Sequence, residues 1–454
     1  MEEYKKITLA ENFWNKIEKV RGKYIHLILI ATKPDIIKQA PLIFELKNKK
    51  LPYLVGHTGQ HKDWNLSGGL EEEFEISADF NLNIEGTTYQ KISQIINRLG
   101  WIIDEARKRE KTLLPYVHGD TATAGAGAVG AYLNAVSVAH VEAGLRTYTP
   151  KKEVFEKLLK NKDFDDYRNN LLGEKNWIKG SREPFPEQFN TRVAETATSF
   201  HFAPVRLNAQ DIKEEGFEND RIFIVGNTVA DAIRIIEEKT KNSKIFDQFP
   251  LLKDGFIRFC IHRRENVSSL HRFSTIIESL KELVLLGKNI LLISLPATEH
   301  ALMEYGYKKE IEQLAKTNKN FIYSPVWPYY TDVVAAMKKA TLFATDSGSM
   351  QEEANILGIP CATLRFNSDR SESVMAGANI IAPPIKSELL TKIILKADSN
   401  KEMISAPKLY GENVSSKIIS TVEKTLEKEE AFRYEHQKLG FDKLSYWKRG
   451  GSQF

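Results

Sequence analysis

The chain has 454 residues, a formal net charge of +4, and a composition that is 42% hydrophobic and 27% charged. These values are typical of a soluble globular protein with two domains; the small net charge does not favour nucleic-acid binding, and the apolar runs are too short to cross a membrane. Cys260 and Cys361 lie in predicted buried strands, which indicates core thiols, and the amino terminus lacks signal-peptide character, so we expect a cytoplasmic protein.

The first half of the chain alternates apolar strands with helices. Residues 1–22 are predicted to form an added helix with Phe13, Trp14, Ile17 and Val20 on one side. Strands are predicted at 24–31, 51–55, 113–117, 136–141, 200–203 and 221–225, and helices at 34–49, 89–109 and 122–133. Residues 67–85 are predicted as an acidic mobile loop, and the highly charged residues 150–182 as a surface insertion.

The second half repeats this alternation, with predicted strands at 256–261, 290–295, 321–323, 341–345 and 359–364 and a last helix at about 413–430. Two successive halves of this kind predict an α/β protein with two Rossmann-like domains facing across a central cleft. The predicted parts are an extension (1–22), an N-terminal domain (23–228, with the insertion 150–182), a C-terminal domain (229–405), and a helix and tail (406–454) that pack back on the N-terminal domain.

Residues 341–364 form a predicted βαβ unit. Small residues at 347–349 separate the strand from the helix, Gly358 occupies the left-handed position after the helix, and Pro360 stops it. The free N–H groups at the helix start would bind an anion such as a phosphate, and Glu352 or Glu353 could reach sugar hydroxyls. An ordinary strand-to-helix turn is the alternative.

Most residues with chemical potential follow predicted strands, and the carboxyl ends of parallel strands share one edge of a sheet. They are Lys33, Lys38, His57, His61, His118, Asp120, His140, Glu142, His262, Arg263, Arg264, Glu265, Asp346 and Ser347.

Asp120 and Glu142 end strands that we expect to be neighbours. Two carboxylates in a cleft raise each other's pKa, which suits acid–base catalysis. The alternative is a capping Asp120 and a structural Glu142–Arg146 pair.

His118, His140 and the His57–His61 spacing leave metal binding as another alternative. The two arginines within residues 262–265 would suit a diphosphate ligand. The alternative is a solvated loop that contains an Arg–Glu pair.

Seven sequence blocks, in order, resemble the non-hydrolysing UDP-N-acetylglucosamine 2-epimerase family, which has the glycosyltransferase-B-type (GT-B) fold. The resemblance covers about residues 24–425. The blocks are His-Gly-Asp-Thr (118–121), His-Val-Glu-Ala-Gly-Leu-Arg-Thr (140–147), Pro-Phe-Pro-Glu (184–187), Val-Gly-Asn-Thr-Val (225–229), His-Arg-Arg-Glu (262–265), Thr-Asp-Ser-Gly (345–348) and Gln-Glu-Glu (351–353).

The resemblance implies interconversion of UDP-GlcNAc and UDP-ManNAc. UDP leaves with loss of the sugar H2, a 2-acetamidoglucal forms, and UDP returns after protonation of the other face; no metal or other cofactor is implied. The implied catalytic residues are Asp120, Glu142, Glu187 and His262. The implied substrate or UDP contacts are Lys33, Lys38, Arg146, Arg192, Asn227, Arg263, Ser347, Gly348, Ser349, Glu353 and Arg370.

Several positions depart from the family pattern. Lys33 replaces an arginine, Ser349 a glycine, Gln188 a glutamate, and Ser371 a proline, and the loop before Pro184 is longer than usual. A histidine that bacterial members use in allosteric activation is not evident at 296–300. The alternatives are an epimerase of a related UDP-2-acetamido sugar, a hydrolysing 2-epimerase, a GT-B glycosyltransferase and a non-catalytic binder. The resemblance implies a homodimer, and we expect neither a nucleic acid nor a membrane as partner.

Overall fold

The computed structural model of the chain describes residues 3–59, 68–428, 431 and 435–441. His61, one of the candidate residues, lies outside these ranges. Within them, no helix is both long enough and apolar enough to span a membrane.

The strands form two large sheets and one small two-stranded sheet, β7 with β8. They are β1 (Thr8–Leu9), β2 (Tyr24–Ile30), β3 (Tyr53–His57), β4 (Phe80–Asn81), β5 (Thr112–His118), β6 (Ala139–Val141), β7 (Tyr148–Pro150), β8 (Trp177–Lys179), β9 (Phe200–Ala203), β10 (Ile222–Ile224), β11 (Phe256–Cys260), β12 (Ile290–Ser294), β13 (Phe321–Pro325), β14 (Ala340–Thr345), β15 (Cys361–Thr363) and β16 (Asn379–Ile381).

The helices of the first half are α1 (Phe13–Glu18), α2 (Lys33–Asn48), α3 (Gly69–Glu73), α4 (Thr88–Lys108), α5 (Ala122–Tyr132), α6 (Lys152–Asn161), α7 (Phe164–Leu171), α8 (Glu187–Thr196) and α9 (Arg206–Glu214). Those that follow are α10 (Thr228–Thr240), α11 (Ile245–Gln248), α12 (Arg264–Val267), α13 (Leu270–Leu285), α14 (Pro296–Glu304), α15 (Lys308–Thr317), α16 (Tyr330–Met337), α17 (Gly348–Leu357), α18 (Ser371–Met375), α19 (Ser387–Ala397), α20 (Lys401–Ile404), α21 (Val414–Glu427) and α22 (Glu435–Lys438). Short 3₁₀ helices lie at Glu3–Lys6, Asn219–Arg221 and Pro250–Asp254.

The first sheet has the order β1-β4-β3-β2-β5-β6-β9-β10 and the second the order β13-β12-β11-β14-β15-β16. All of these pairings are parallel except β1 with β4. Both faces of each sheet are covered by helices, which explains why the central strands are apolar throughout. Two Rossmann-like halves facing across a cleft are therefore confirmed, as is the pairing of β5 with β6; the exact domain boundaries stay a prediction.

Two expectations for the first half are wrong. The helix expected over residues 1–22 is only α1, because the chain before it forms β1 and extends the sheet. Residues 68–85 are not a loose loop, because they contain α3 and β4. Leu70 and Phe74 of this segment are buried in the core, and Phe80 occupies the space beside Gly56 that a side chain there would need.

The segment from β7 to β8 is also not the surface insertion that its charge indicated. Its apolar side chains, among them Val154, Leu158 and Phe164, share a hydrophobic core with the second sheet. The Tyr167 hydroxyl donates a hydrogen bond to the carbonyl oxygen of Ile381 on β16 at 2.9 Å. A segment that lies between β6 and β9 of the first sheet in the chain therefore packs on the second.

The last long helix, α21, follows the second sheet in the chain but packs against α2 of the first half and against α10. Ile418, Ile419 and Val422 share a core with residues of β2 and α2. The carboxylate of Glu423 lies 3.0 Å from Nε2 of His26 on β2. The chain thus crosses between the two halves more than once, and these crossings hold the two sides of the cleft together.

Candidate active site

The carboxyl ends of both sheets border one cavity of about 560 Å³. Parallel strands place their following loops at this edge, as expected for a ligand site in such a fold. From the first half, the cavity is lined by Lys33, Lys38, His118, Asp120, Glu142 and Glu187. From the second, it is lined by His262, Arg263, Ser347, Ser349, Glu353 and Arg370, among others.

Local backbone geometry aims the first group into the cavity. Thr32 and Asp35 form a capping box at the start of α2, as Pro34 predicted, and this presents Lys38 one turn later. Glu142 follows β6 with a φ of 66°, an unusual conformation for a residue other than glycine. Such a backbone persists only where the surroundings hold it, and here the side chain is held firmly.

Glu142 is buried and accepts hydrogen bonds on both carboxylate oxygens. Oε2 accepts from Lys38, from Asn227 at 2.9 Å and from His118 Nε2 at 3.2 Å, and Oε1 accepts from Arg370 at 2.6 Å. Burial by itself would raise the pKa of Glu142, but Lys38, Arg370 and His118 outweigh it and lower the pKa well below the usual value. Glu142 is therefore a fully paired carboxylate.

The pairs around Glu142 join the two sides of the cleft. Lys38, on the first side, also bonds Glu352 of α17 at 2.5 Å. Arg370, on the second side, bonds Glu352 through Nε at 2.5 Å as well as Glu142. Burial alone would lower the pKa of Lys38, yet the two carboxylates raise it, so the ammonium is retained. Each buried charge in this network therefore faces charges of opposite sign, which offsets part of the cost of its desolvation.

His118 extends this network away from the cavity. Its Nδ1 lies 2.9 Å from Oδ1 of Asp35, whose other oxygen caps α2, and its Nε2 faces Glu142. Burial opposes protonation, but the two carboxylates raise the pKa of His118 to about 9. The imidazolium is thus held between two acceptors and fixes the position of Glu142.

Asp120 and Glu187 have the opposite environment. Oδ2 of Asp120 and Oε2 of Glu187 are buried and have no hydrogen-bond partner among the described residues. Burial raises the pKa of Asp120, opposed by Arg370 and Arg263 and assisted by Glu187. The expectation that Asp120 and Glu142 raise each other's pKa is therefore wrong: three cations lower the pKa of Glu142, and after burial the carboxylates that raise the pKa of Asp120 are Glu187 and Asp369.

The second sheet contributes an anion-binding end. The carboxylate of Asp346, at the end of β14, accepts from the backbone N–H groups of His262 and Arg263, each at 3.0 Å, and holds that loop beside the start of α17. Burial lowers the pKa of His262, so its ring is neutral near pH 7. Arg263 reaches across to Glu187. Backbone N–H groups of α17, a guanidinium and a neutral imidazole therefore meet at one place.

Two residues of the predicted substrate set do not reach the cavity. Arg146 is buried among Glu195 and Glu215, which it bonds with three nitrogens. Arg192 is half exposed and pairs with the same Glu215 at 2.9 Å. These local carboxylates satisfy both guanidinium groups, and neither arginine is among the residues that line the cavity. The alternative Glu142–Arg146 pair is wrong, because Arg146 bonds Glu195 and Glu215 instead.

Asn227 and Gly348 act through residues that line the cavity. Asn227 donates to Glu142, as described above. Gly348 begins α17, and a Cβ atom there would lie 3.0 Å from Cζ of Arg370, so the close approach of Arg370 requires a small residue. The metal alternative has no support among the residues described, where no group of three His, Cys, Asp or Glu side chains is arranged to hold an ion.

Sequence reasoning missed several cavity residues. His118 was considered only as a possible metal ligand and Glu352, which does not itself line the cavity, only as a possible contact of sugar hydroxyls; their ion-pair partners come from distant parts of the chain. Arg258, Trp327 and Tyr330 also line the cavity. For Arg258 a signal was present: a charged residue in the middle of the apolar strand β11.

Comparisons with known proteins identify the family to which this chain is similar. A sequence model of the family described as UDP-N-acetylglucosamine 2-epimerase matches residues 45–160 and 180–423. The unmatched residues between these ranges include α7 and β8, which pack on the second sheet. Most of the extra segment is therefore outside the family pattern.

The chain is 32% identical to the UDP-N-acetylglucosamine 2-epimerase of Methanocaldococcus jannaschii over 372 residues, which cover 81% of this chain and 90% of that protein. A crystal structure of the M. jannaschii enzyme in complex with UDP-GlcNAc and UDP is 28% identical, with a TM-score of 0.73, covering 88% of this chain and 99% of that one. The UDP-2,3-diacetamido-2,3-dideoxy-D-glucuronate 2-epimerase of Pseudomonas aeruginosa is 27% identical over 399 residues, 87% of this chain and 98% of that protein. The chain thus belongs to the UDP-N-acetylglucosamine 2-epimerase family.

Proposed function

We propose that this protein interconverts UDP-GlcNAc and UDP-ManNAc. UDP departs from C1 as the C2 proton is removed, which leaves a 2-acetamidoglucal; a proton is returned to the other face of C2 and UDP adds back. The observation that carries the proposal is the pair of unpartnered carboxylate oxygens, on Asp120 and Glu187, opposite an anion-binding helix end. Its support is this geometry together with the family.

Asp120 and Glu187 are proposed as the two groups that exchange protons with C2. Removal and return on opposite faces need two acid–base groups, and these two have oxygens free to accept a proton. Glu142 is proposed as the carboxylate that positions Lys38 and Arg370, because its oxygens are already occupied. This differs from the acid–base role that the resemblance alone implied for Glu142.

The diphosphate is proposed to bind at the start of α17. Ser347, Gly348 and Ser349 offer backbone N–H groups there, and Arg263 and Lys33 supply positive charge. His262 lies at the same end and is proposed to stabilise the departing UDP. Glu353, one helical turn beyond Ser349, is proposed to hold the ribose hydroxyls.

The second candidate is the epimerisation of a related UDP-2-acetamido sugar. It is favoured by the similarity to the Pseudomonas aeruginosa protein named for a diacetamido glucuronate substrate. The two candidates share the C2 chemistry and differ only in the groups at other carbons. We further propose a homodimer, supported by the family resemblance, which light scattering after gel filtration would test. A cytoplasmic location is proposed from the two buried free cysteines.

Proton NMR of the purified protein with UDP-GlcNAc in heavy water tests the proposal. Deuterium at C2 together with a growing UDP-ManNAc signal is the expected result. Free ManNAc with UDP would indicate hydrolysis instead. Binding of UDP-GlcNAc without exchange, followed by exchange with a diacetamido sugar nucleotide, would favour the second candidate.

A further inference from the structure

Arg258 is a buried cation in an unusual position. It lies in the middle of β11, a central strand of the second sheet, opposite Leu291 on one neighbouring strand and Phe343 on the other. Only 8% of its surface is exposed, and that part lines the cavity. A charge in such a strand must either be paired or meet a ligand, because burial without a partner is costly.

The guanidinium of Arg258 has no such partner among the residues described. It forms no ion pair or hydrogen bond there, its Nε is buried without a hydrogen-bond partner, and its Cζ lies 5.9 Å from the ring centroid of Phe343. Other buried arginines differ in this respect: Arg365 pairs with Asp369 at 2.6 Å, and Arg98 donates to two backbone carbonyl groups.

The surroundings of Arg258 identify which end of the cavity it faces. The ammonium of Lys33 donates to the carbonyl oxygen of Trp327 at 3.0 Å, and its pKa is lowered to about 8, first by burial and then by the charge of Arg258. The charge of Arg258 also partly opposes the rise that burial causes in the pKa of Glu353. Glu353 accepts a hydrogen bond from the Tyr330 hydroxyl at 2.6 Å. Glu353 lies on α17 one turn beyond its start, so this end of the cavity is beside that helix.

The remaining wall of this end is apolar and aromatic. Ile293, Leu295, Val326 and Trp327 line it, and the Trp327 indole is held by Ser324 at 2.9 Å and by stacking on Phe249. A flat apolar wall suits a heterocyclic ring. A guanidinium only donates hydrogen bonds, so its ligand must present an oxygen or another acceptor.

We propose that Arg258 binds the nucleoside of the substrate by donating hydrogen bonds to an oxygen of the pyrimidine base or of the ribose, and that it thereby determines nucleotide specificity. This inference rests on the proposed UDP-sugar substrate. The base carbonyl and the ribose hydroxyl offer the same acceptor chemistry to the guanidinium.

The test is calorimetric titration of UDP, CDP, 2′-deoxy-UDP and pyrophosphate into wild-type protein and the Arg258→Met variant. We expect UDP affinity to fall about 10- to 100-fold in the variant, since hydrogen bonds to a charged group are among the stronger ones. Pyrophosphate affinity should stay within about twofold. KM should rise with UDP-GlcNAc while kcat changes less, because the contact is remote from C2.

The nucleotide panel separates the two acceptors. Loss of the preference for UDP over CDP in the variant would place Arg258 on the base, and loss of the preference for UDP over 2′-deoxy-UDP would place it on the ribose. Either result supports the proposal. An equal loss of UDP and pyrophosphate would place Arg258 on the phosphates and overturn it.

Thermal unfolding of the free protein tests whether Arg258 has a structural role instead. Because the buried guanidinium is unpaired, Arg258→Met should unfold at the same temperature as wild type or higher, and a lower temperature would overturn the proposal. Arg234→Met, which removes an exposed arginine on α10, is the matched control and should bind UDP like wild type. No UDP binding by wild type would overturn the proposed function itself, whereas unchanged UDP binding by Arg258→Met would overturn this inference alone.

Discussion

Asp120 and Glu142 occupy equivalent places in the fold and have opposite environments. Each follows the end of one of two adjacent parallel strands, β5 and β6, and each borders the same cavity. Glu142 is bonded by two cations, an imidazolium and an amide, whereas the Asp120 side chain has a buried oxygen without a partner in the described parts of the chain.

The difference shows that position at a strand end does not determine what a carboxylate does. The pKa of Glu142 is lowered and that of Asp120 is raised because the neighbours come from distant segments. Arg370 lies far along the chain from both residues, and it bonds Glu142 while it only influences Asp120 through space. One carboxylate is therefore suited to holding the site together and the other to exchanging a proton.

The largest expected effect is that of Asp120→Asn. This change removes a proposed proton-transfer group without altering its size, and we expect kcat to fall by about 10²- to 10⁴-fold. UDP should still bind, because Asp120 is not among the groups proposed to hold the diphosphate. Steady-state kinetics and UDP titration measure both quantities. Turnover at the wild-type rate would remove Asp120 from the acid–base pair.

The second effect is that of Glu142→Gln. It leaves Lys38, Arg370 and His118 without their shared carboxylate, and we expect a loss of about 3–5 kcal/mol in the free energy of unfolding. Denaturant unfolding measures this. Glu195→Gln is the control, since it breaks a buried pair with Arg146 outside the cavity. Glu195→Gln should lower the free energy of unfolding, while the folded enzyme keeps its kcat. If both variants keep the free energy of unfolding of wild type, the network around Glu142 is not a positioning device.

The third effect concerns pH. The pKa of His118 is raised from 6.5 to about 9, so its contribution to stability is fully present below pH 6.5 and is lost as the pH rises to about 9. In the His118→Gln variant, we expect the free energy of unfolding to fall less at alkaline pH than in wild type, by on the order of 1–3 kcal/mol. The lowered pKa of Glu142 acts in the other direction, and its contribution is lost as the pH falls below the usual carboxylate range. Thermal melts from about pH 3 to about pH 10 would show both limbs; an unchanged alkaline limb in the variant would exclude His118 as its cause.

The smallest expected effect is that of Arg192→Met. Arg192 is close to Glu187 in the chain but pairs with Glu215 at the surface. We expect KM and kcat to change less than twofold and stability by less than about 0.5 kcal/mol. A large rise in KM would show that the substrate extends beyond the described cavity.

Much of this molecule could be predicted from sequence because local rules apply to it. The strand Phe200–Ala203 was predicted with its observed bounds, Pro34 marks the start of a helix, and Gly358 has the expected positive φ of 73°. These features depend on side-chain periodicity and on the backbone preferences of proline and glycine, which act over a few residues. The motif blocks likewise predicted which strand ends would border the cavity.

Tertiary structure alone decided which charges are paired. Arg146 bonds Glu195 and Glu215, Glu142 bonds Lys38 and Arg370, and the apolar face of α6 and α7 covers the second sheet. No periodicity encodes these choices, because each partner is separated by tens to hundreds of residues and is selected by distance and burial in the folded chain. The sequence by itself thus determined the two-domain fold and the edge where chemistry occurs, while long-range packing determined which carboxylates remain free to perform it.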